Sequence, residues 1–418
     1  MARQKSEIVF AGNALVNGEI QRVEIGVSAG KIVEIGKNIR CDKIREVNGI
    51  ITPTMSDNHC HMRVPGASHK EDIRHGTMCA AYGGVTWIIH MPNTVPPTDN
   101  YDAFTEKMAM INSRSYVDSG IAVTVGERID KRLLERATIY KLYMSETTGV
   151  NPRNVDSLIE NAKRISEKKV VFVHAEDKNL IDTETPATNL MEHLGNRPER
   201  AEESAIMRLY QLGMLKAHIT HFSAPGAFPW IQAGGYTVDV TPHHLFLNAL
   251  SDIGAYGKVN PALKTQPTQS RLWELFRQGK INMVASDHAP HTIEEKRDFK
   301  TAPSGLPNLE TTLPLFMAKW VSGEISLDRI QQALMENPAA LIGIKKGKLQ
   351  VGYDADFAFF ELSQMRQIGA EDLHYKCGWT PYTGMYGLFP YEVVMRGNTI
   401  MSEGRMQIEP GYGKFVRN

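Results

Sequence analysis

The chain has 418 residues, 42% of them hydrophobic and 22% charged, a globular balance that argues against a disordered or membrane-embedded chain. Its 47 Lys plus Arg are matched by 47 Asp plus Glu, so no overall field draws it to nucleic acid or to an acidic membrane surface. The length exceeds the roughly 250 to 300 residues at which single cores stop growing, so one large domain with a smaller one is expected.

The opening "MARQKSEIVFAG" holds one short apolar run broken by Gly12, without the apolar region and cleavage site of a secretion signal. No stretch reaches the length of a membrane span. The four cysteines, Cys41, Cys60, Cys79 and Cys377, show no paired spacing, so reduced thiols and a cytoplasmic location are the expectation. The segment "EIVFAGNALVNGEIQRVEIGVSAGKIVEIG" alternates apolar and polar residues and is interrupted at Asn17-Gly18 and Gly30, which predicts short antiparallel strands. A similar texture returns in "DADFAFFEL" and "YEVVMRGNTIMSEG". Neither end has enough strands to bury a sheet face alone, so both are expected to build one small β-sandwich-like domain.

Between the ends, eight apolar runs alternate with helical patterns: "ITPTMSDNHCH", "GVTWIIHMPN", "GIAVTVG", "TIYKLYM", "KVVFVHAE", "AHITHFS", "YTVDVTPHH" and "NMVASDHAP". Stretches such as "NVDSLIENAKRISEKK" and "EESAIMRLYQLG" carry the helical spacing. Eight βα units in this length predict an α/β fold, a (β/α)8 TIM-type barrel. A doubly wound open sheet is the alternative, but no GxGxxG follows the first strand. The expected division is residues 1–51 and 346–418 for the two parts of the small β-domain, and 52–345 for the barrel.

His59 and His61 alternate about Cys60 and share one strand face, and Arg63 follows them if the strand continues. A lone HxH is a modest signal. It gains weight because the later runs end in Asn93, Lys141, His174, His221 and Asp287, at the end of a barrel where active sites sit. Neutral imidazoles with a carboxylate are ligands for one or two ions such as zinc. His218 and His221 differ by an odd offset, so only one of them faces inward from a regular strand, and His221 is nearer the C-terminal end. A protonated lysine among such ligands would be repelled, whereas a neutral Lys141 amine can take up CO2 and become an anionic carbamate.

The stretches "HCHMRVPGASHKED", "MPNTVPPT", "KLYMSETTG", "VHAED", "HFSAPGA", "KVNPALK", "SDHAPH" and "APSGLPNLETTLPL" resemble, in order, the signatures of dihydroorotases in the amidohydrolase superfamily. Likeness continues through "NPAALIGI", "KGKLQVGYDADF" and "KCGWTPYTGMYG", nearly the whole chain. The resemblance implies one metal held by His59, His61 and Asp287, a second by His174 and His221, and a carboxylated Lys141 between them, with two Zn2+ as the expected cofactors. It implies that Arg63, Asn93 and His291 bind the substrate carboxylate, and that Asn260 and the backbone of Ser304 and Gly305 contact the ring. Asp287 is implied as general base, returning its proton to the leaving nitrogen. Val64 and "NPALK" depart from the family's usual residues.

The implied activity is the reversible cyclisation of N-carbamoyl-L-aspartate to L-dihydroorotate in pyrimidine biosynthesis. A hydantoinase or allantoinase is the alternative enzyme, disfavoured because Arg63 calls for an anionic partner. A non-catalytic scaffold is disfavoured by the presence of every implied ligand. The expected partner is a small-molecule substrate. Homo-oligomer formation and association with aspartate carbamoyltransferase, the preceding pathway enzyme, are compatible with the resemblance and specified by no residue. The polar stretch "TIEEKRDFKTAPSG" is expected to be a solvated surface loop.

Overall fold

The structure is a computed structural model that describes residues 5–214 and 216–417. Its strands are, in order, β1 (Ile8–Val16), β2 (Glu19–Ser28), β3 (Lys31–Gly36), β4 (Ile44–Pro53), β5 (Met55–Cys60), β6 (Val85–His90), β7 (Asp118–Thr124), β8 (Ile139–Tyr143), β9 (Val171–His174), β10 (Ala217–Ile219), β11 (Thr237–Val240), β12 (Met283–Val284), β13 (Phe357–Gln367), β14 (Tyr386–Met395), β15 (Asn398–Ser402) and β16 (Arg405–Met406).

Strands β5 to β12 form one eight-stranded sheet in sequential order, with parallel pairing at each step. The ring closes where the chain beyond β12 meets β5. Cys60 bridges His288 in parallel, and His61 N–H donates to His288 O at 2.8 Å. These strands are short and, apart from the polar β5, mostly apolar because both faces are covered, by barrel interior and by helices; β5, β6 and β8 are buried at every residue. Several helices between them are started by side-chain caps. Asp72 accepts from His75 N–H before Ile73–Tyr82, and Asn154 from Ser157 N–H before Val155–Ser166, each satisfying an amide that lacks an intrahelical partner. The fold is the (β/α)8 barrel that the alternation of the sequence predicts.

The two chain ends share a second eight-stranded sheet, ordered β16-β15-β14-β13-β4-β1-β2-β3. Antiparallel pairing of β13 with β4, Phe357 opposite Pro53, joins the N- and C-terminal contributions. Phe10, Ile25, Ile51, Phe357 and Phe359 form the core of this sheet. Lys346 ties it to the barrel. Its buried Nζ lies 3.1 Å from Asp118 at the start of β7, 3.1 Å from Asp354 and 2.6 Å from Asp356. Such a charge is tolerated in the interior only because it is fully paired.

Residues 292–305 form the expected surface loop, mostly exposed or half-buried, and Lys296 pins it to the body of the protein. Lys296 is 1% exposed, donates from Nζ to Pro303 O at 2.9 Å and Lys258 O at 3.3 Å, and lies over the Trp379 ring. A long amphipathic side chain turned inward anchors a segment that its composition marks as polar. No helix of the described residues is long and apolar enough to cross a membrane.

Candidate active site

A cavity of about 610 Å³, open to solvent, lies at the C-terminal end of the barrel strands. Its wall brings together all six expected metal ligands, His59, His61, Lys141, His174, His221 and Asp287. It also holds Arg63, Asn93, Asn260, Ser304 and Gly305. His291 is the exception, lying behind Arg63 with its Nε2 2.9 Å from the guanidinium.

His59 lies within β5 and His61 just past its end, on the same side as alternation requires. Asp287 follows β12, and its Oδ1 is 3.3 Å from His59 Nε2 and 3.0 Å from His61 Nε2. One donor atom from each of the three lies within 4.8 Å of the others, a spacing suited to a single cation. Burial, then the Lys141 charge, holds His59 well below the usual imidazole range. Burial likewise lowers His61, more than Asp287 raises it. Neutral rings keep the lone pairs that a divalent cation needs.

On the other side, His174 Nδ1 is 2.9 Å from His221 Nε2. His174 places its second nitrogen 2.8 Å from Glu176 Oε2, so that nitrogen carries the proton and Nδ1 is left as a donor atom facing the cavity. Glu176 is gripped by Arg197 through two contacts, 2.5 and 3.2 Å. Burial would raise its carboxyl, but Arg197 and His174 outweigh that and hold it well below the carboxylate range. His221 lies past the end of β10; its backbone N–H donates to Asp239 Oδ1 at 2.7 Å. Asp239 Oδ2 is in turn 2.8 Å from His218 Nε2. Asp239 thus holds the two histidines apart, His218 by its ring and His221 by its backbone. His221 lines the cavity, while His218 supports it from behind.

Lys141, fully buried between the two clusters, donates to Thr220 Oγ1 at 2.6 Å. Burial lowers its amine to about 7, against the opposing pull of Asp239 and Asp287. A substantial neutral fraction at neutral pH makes the amine a nucleophile. The His59, His61 and Asp287 donors therefore converge as a divalent cation requires, with the His174–His221 pair and Lys141 on the same wall.

The anion side is built differently from the expectation. The strand does not continue to Arg63, whose φ of +56° turns the chain. The guanidinium reaches the cavity from this bend, donating from Nε to Pro290 O at 3.1 Å. Burial lowers it only to about 10, so it stays cationic. His221 and Asp287 also have positive φ, +44° and +47°. Left-handed backbone at non-glycine residues costs on the order of 1 to 3 kcal/mol each and concentrates where function dictates geometry. Gly305, at φ +134°, has no alternative, since a Cβ would strike the Ala289 carbonyl oxygen and crowd Arg63. Its N–H is engaged by Lys258 O at 2.9 Å. Asn260 Oδ1 accepts from Ser304 Oγ at 3.0 Å and lies 3.1 Å from His193 Nε2, and Asn93 Nδ2 donates to Thr147 Oγ1 at 3.2 Å.

Sequence reasoning passed over Glu176, Arg197, Asp239, Thr220 and Tyr143. Two of these were findable by parity. Glu176 is two residues past His174 and Tyr143 two past Lys141, the relation that singled out His61 after His59.

Residues 50–400 match the model of the amidohydrolase family. The chain is 36% identical over 398 residues to a protein of Thermoplasma acidophilum named dihydroorotase, covering 94% of each. It is 38% identical over 364 residues to one of the same name from Halobacterium salinarum, covering 84% of this chain and 86% of that one. Among solved structures, an L-hydantoinase (dihydropyrimidinase) from Arthrobacter aurescens superimposes with a TM-score of 0.90 at 26% identity, over 99% of this chain and 100% of that one. A dihydropyrimidinase from Brevibacillus agri gives 0.88 at 23% identity, over 98% and 99%, a likeness of fold. A barrel with histidines, a lysine and an aspartate converging at its strand ends, matched along most of its length by one family model, belongs to the amidohydrolase family.

Proposed function

We propose that the protein is a metal-dependent dihydroorotase, interconverting N-carbamoyl-L-aspartate and L-dihydroorotate plus water. The observation that carries this reading is the cationic Arg63 on the same cavity wall as the His59, His61 and Asp287 cluster. A ring bearing a carboxylate beside its reacting amide satisfies both at once. The archaeal relatives named dihydroorotase support it at 36% and 38% identity.

His59, His61 and Asp287 would hold one divalent cation and His174 and His221 a second, with a carbamate on Lys141 between them; zinc suits the donor types. When bound, such cations lower the pKa of water and polarise an amide carbonyl. The chain's own residues do the rest. Arg63 grips the carboxylate, and its planar fork fixes the ring's orientation. His291 holds that fork from behind, and Asn93, Asn260 and the Ser304-Gly305 backbone border the ring. Asp287 takes the proton of the attacking water and returns it to the departing ring nitrogen. In cyclisation the same proton travels in reverse and water leaves. A cytoplasmic setting agrees with the four free cysteines.

Hydantoinase activity is the second reading, favoured by the solved neighbours. Hydantoin gives Arg63 no anion to bind. Hydrolysis of L-dihydroorotate, hydantoin and allantoin by metal-replete protein tests the choice. Preference for dihydroorotate agrees with the proposal, and turnover of hydantoin alone would overturn it.

A further inference from the structure

Tyr143 is the last residue of β8 and lies two residues beyond Lys141, so the pleat turns both side chains to the barrel interior. Tyr143 lines the cavity and is 4% exposed, with its hydroxyl oxygen among the buried atoms. Its ring lies beside that of His174, with centroids 6.2 Å apart. The hydroxyl has no hydrogen-bond partner among the described residues. A buried phenol hydroxyl without a partner costs on the order of 1 to 3 kcal/mol. A phenylalanine would fill the same space without that cost, so the oxygen is explained by something that enters the cavity.

Resting on the dihydroorotase reading, we infer that Tyr143 is a further catalytic residue, donating a hydrogen bond from its hydroxyl to the oxygen of the attacked ring amide. The hydroxyl keeps its proton; only the strength of the hydrogen bond changes as negative charge develops on that oxygen. Preorganised donors of this kind stabilise the transition state more than the ground state. Several other groups on the same wall are engaged elsewhere. The histidines face the cavity as ligands, the Asn93 amide donates to Thr147, and the Ser304 hydroxyl donates to Asn260.

Tyr143→Phe removes one oxygen and keeps the ring, so the fold and metal content should stay as in the wild type. The expected result is a fall in kcat of roughly 10²-fold, the lower end for one lost donor at a developing oxyanion, with KM little changed. Unchanged kcat, whether or not KM rises, would overturn the inference. Independently of turnover, 3-fluorotyrosine placed at position 143 should show a shifted fluorine resonance when dihydroorotate is added to the metal-loaded protein, and an unmoved resonance would overturn it as well. If the wild type opens a different ring, the substrate reading alone fails, and the same two measurements on that ring decide the role of Tyr143.

Discussion

His174 and Glu176 are joined across 2.8 Å, from the imidazole Nε2 to a carboxylate oxygen that Arg197 holds in place. The pair fixes which nitrogen of His174 faces the cavity. Loss of such a supporting carboxylate typically weakens metal binding 10- to 100-fold. Glu176→Gln should therefore lose affinity for zinc by roughly that factor, measured by competition with a chelating dye. Unchanged affinity would remove Glu176 from the metal-binding account.

Lys141 combines full burial with an amine lowered to about 7. Lys141→Ala should be nearly inactive and partly rescued by small carboxylic acids that replace the carbamate. Wild-type protein loaded with 13C-labelled bicarbonate should give a carbamate carbon resonance that is absent from the variant. A fully active enzyme whose lysine is unmodified would contradict the proposal.

Lys107 is also buried, with one contact to Met91 O at 3.3 Å, and burial lowers its amine to about 7. Here the consequence concerns stability. The unfolded chain binds a proton below the ordinary lysine value of about 10.5, whereas the folded chain binds it only below about 7. Stability should fall as pH drops through this window and level off beneath it, at most about 1.4 kcal/mol for each unit of depression. Lys107→Met should raise stability at pH 7 by about 1 to 4 kcal/mol and flatten the pH slope between 7 and 10, measured by urea denaturation. A variant less stable than the wild type at pH 7 would show that the amine is well solvated or paired.

The barrel was legible because most of its strands are apolar runs and several site residues stand at or just past their ends, as with Asn93 and His174, while Lys141 lies two residues before the end of β8. Nearness to the strand end singles out His221 over His218, with alternation saying only that the two face different ways. Alternation carries no information where the backbone leaves the strand. Arg63 reaches the cavity through a left-handed bend at φ +56°, which alternation does not contain. Arg197 lies beyond the helix Leu190–Asn196 and meets Glu176 only through the fold, and no local pattern links them. In residues 292–305 polarity marked a surface loop but not that Lys296 turns inward, because composition records what a side chain carries and not where it points.

The central claim is that Arg63 selects a ring carrying a carboxylate, and comparing Arg63→Gln with the wild type on two rings tests it most directly. Losing one partner of a buried charge pair costs about 2 to 5 kcal/mol. For dihydroorotate, kcat/KM should fall by the corresponding factor, about 30-fold to several thousandfold, while any residual hydantoin hydrolysis changes far less and metal content stays constant. Equal losses on both rings at unchanged metal content would contradict the claim and make Arg63 a general support of the site.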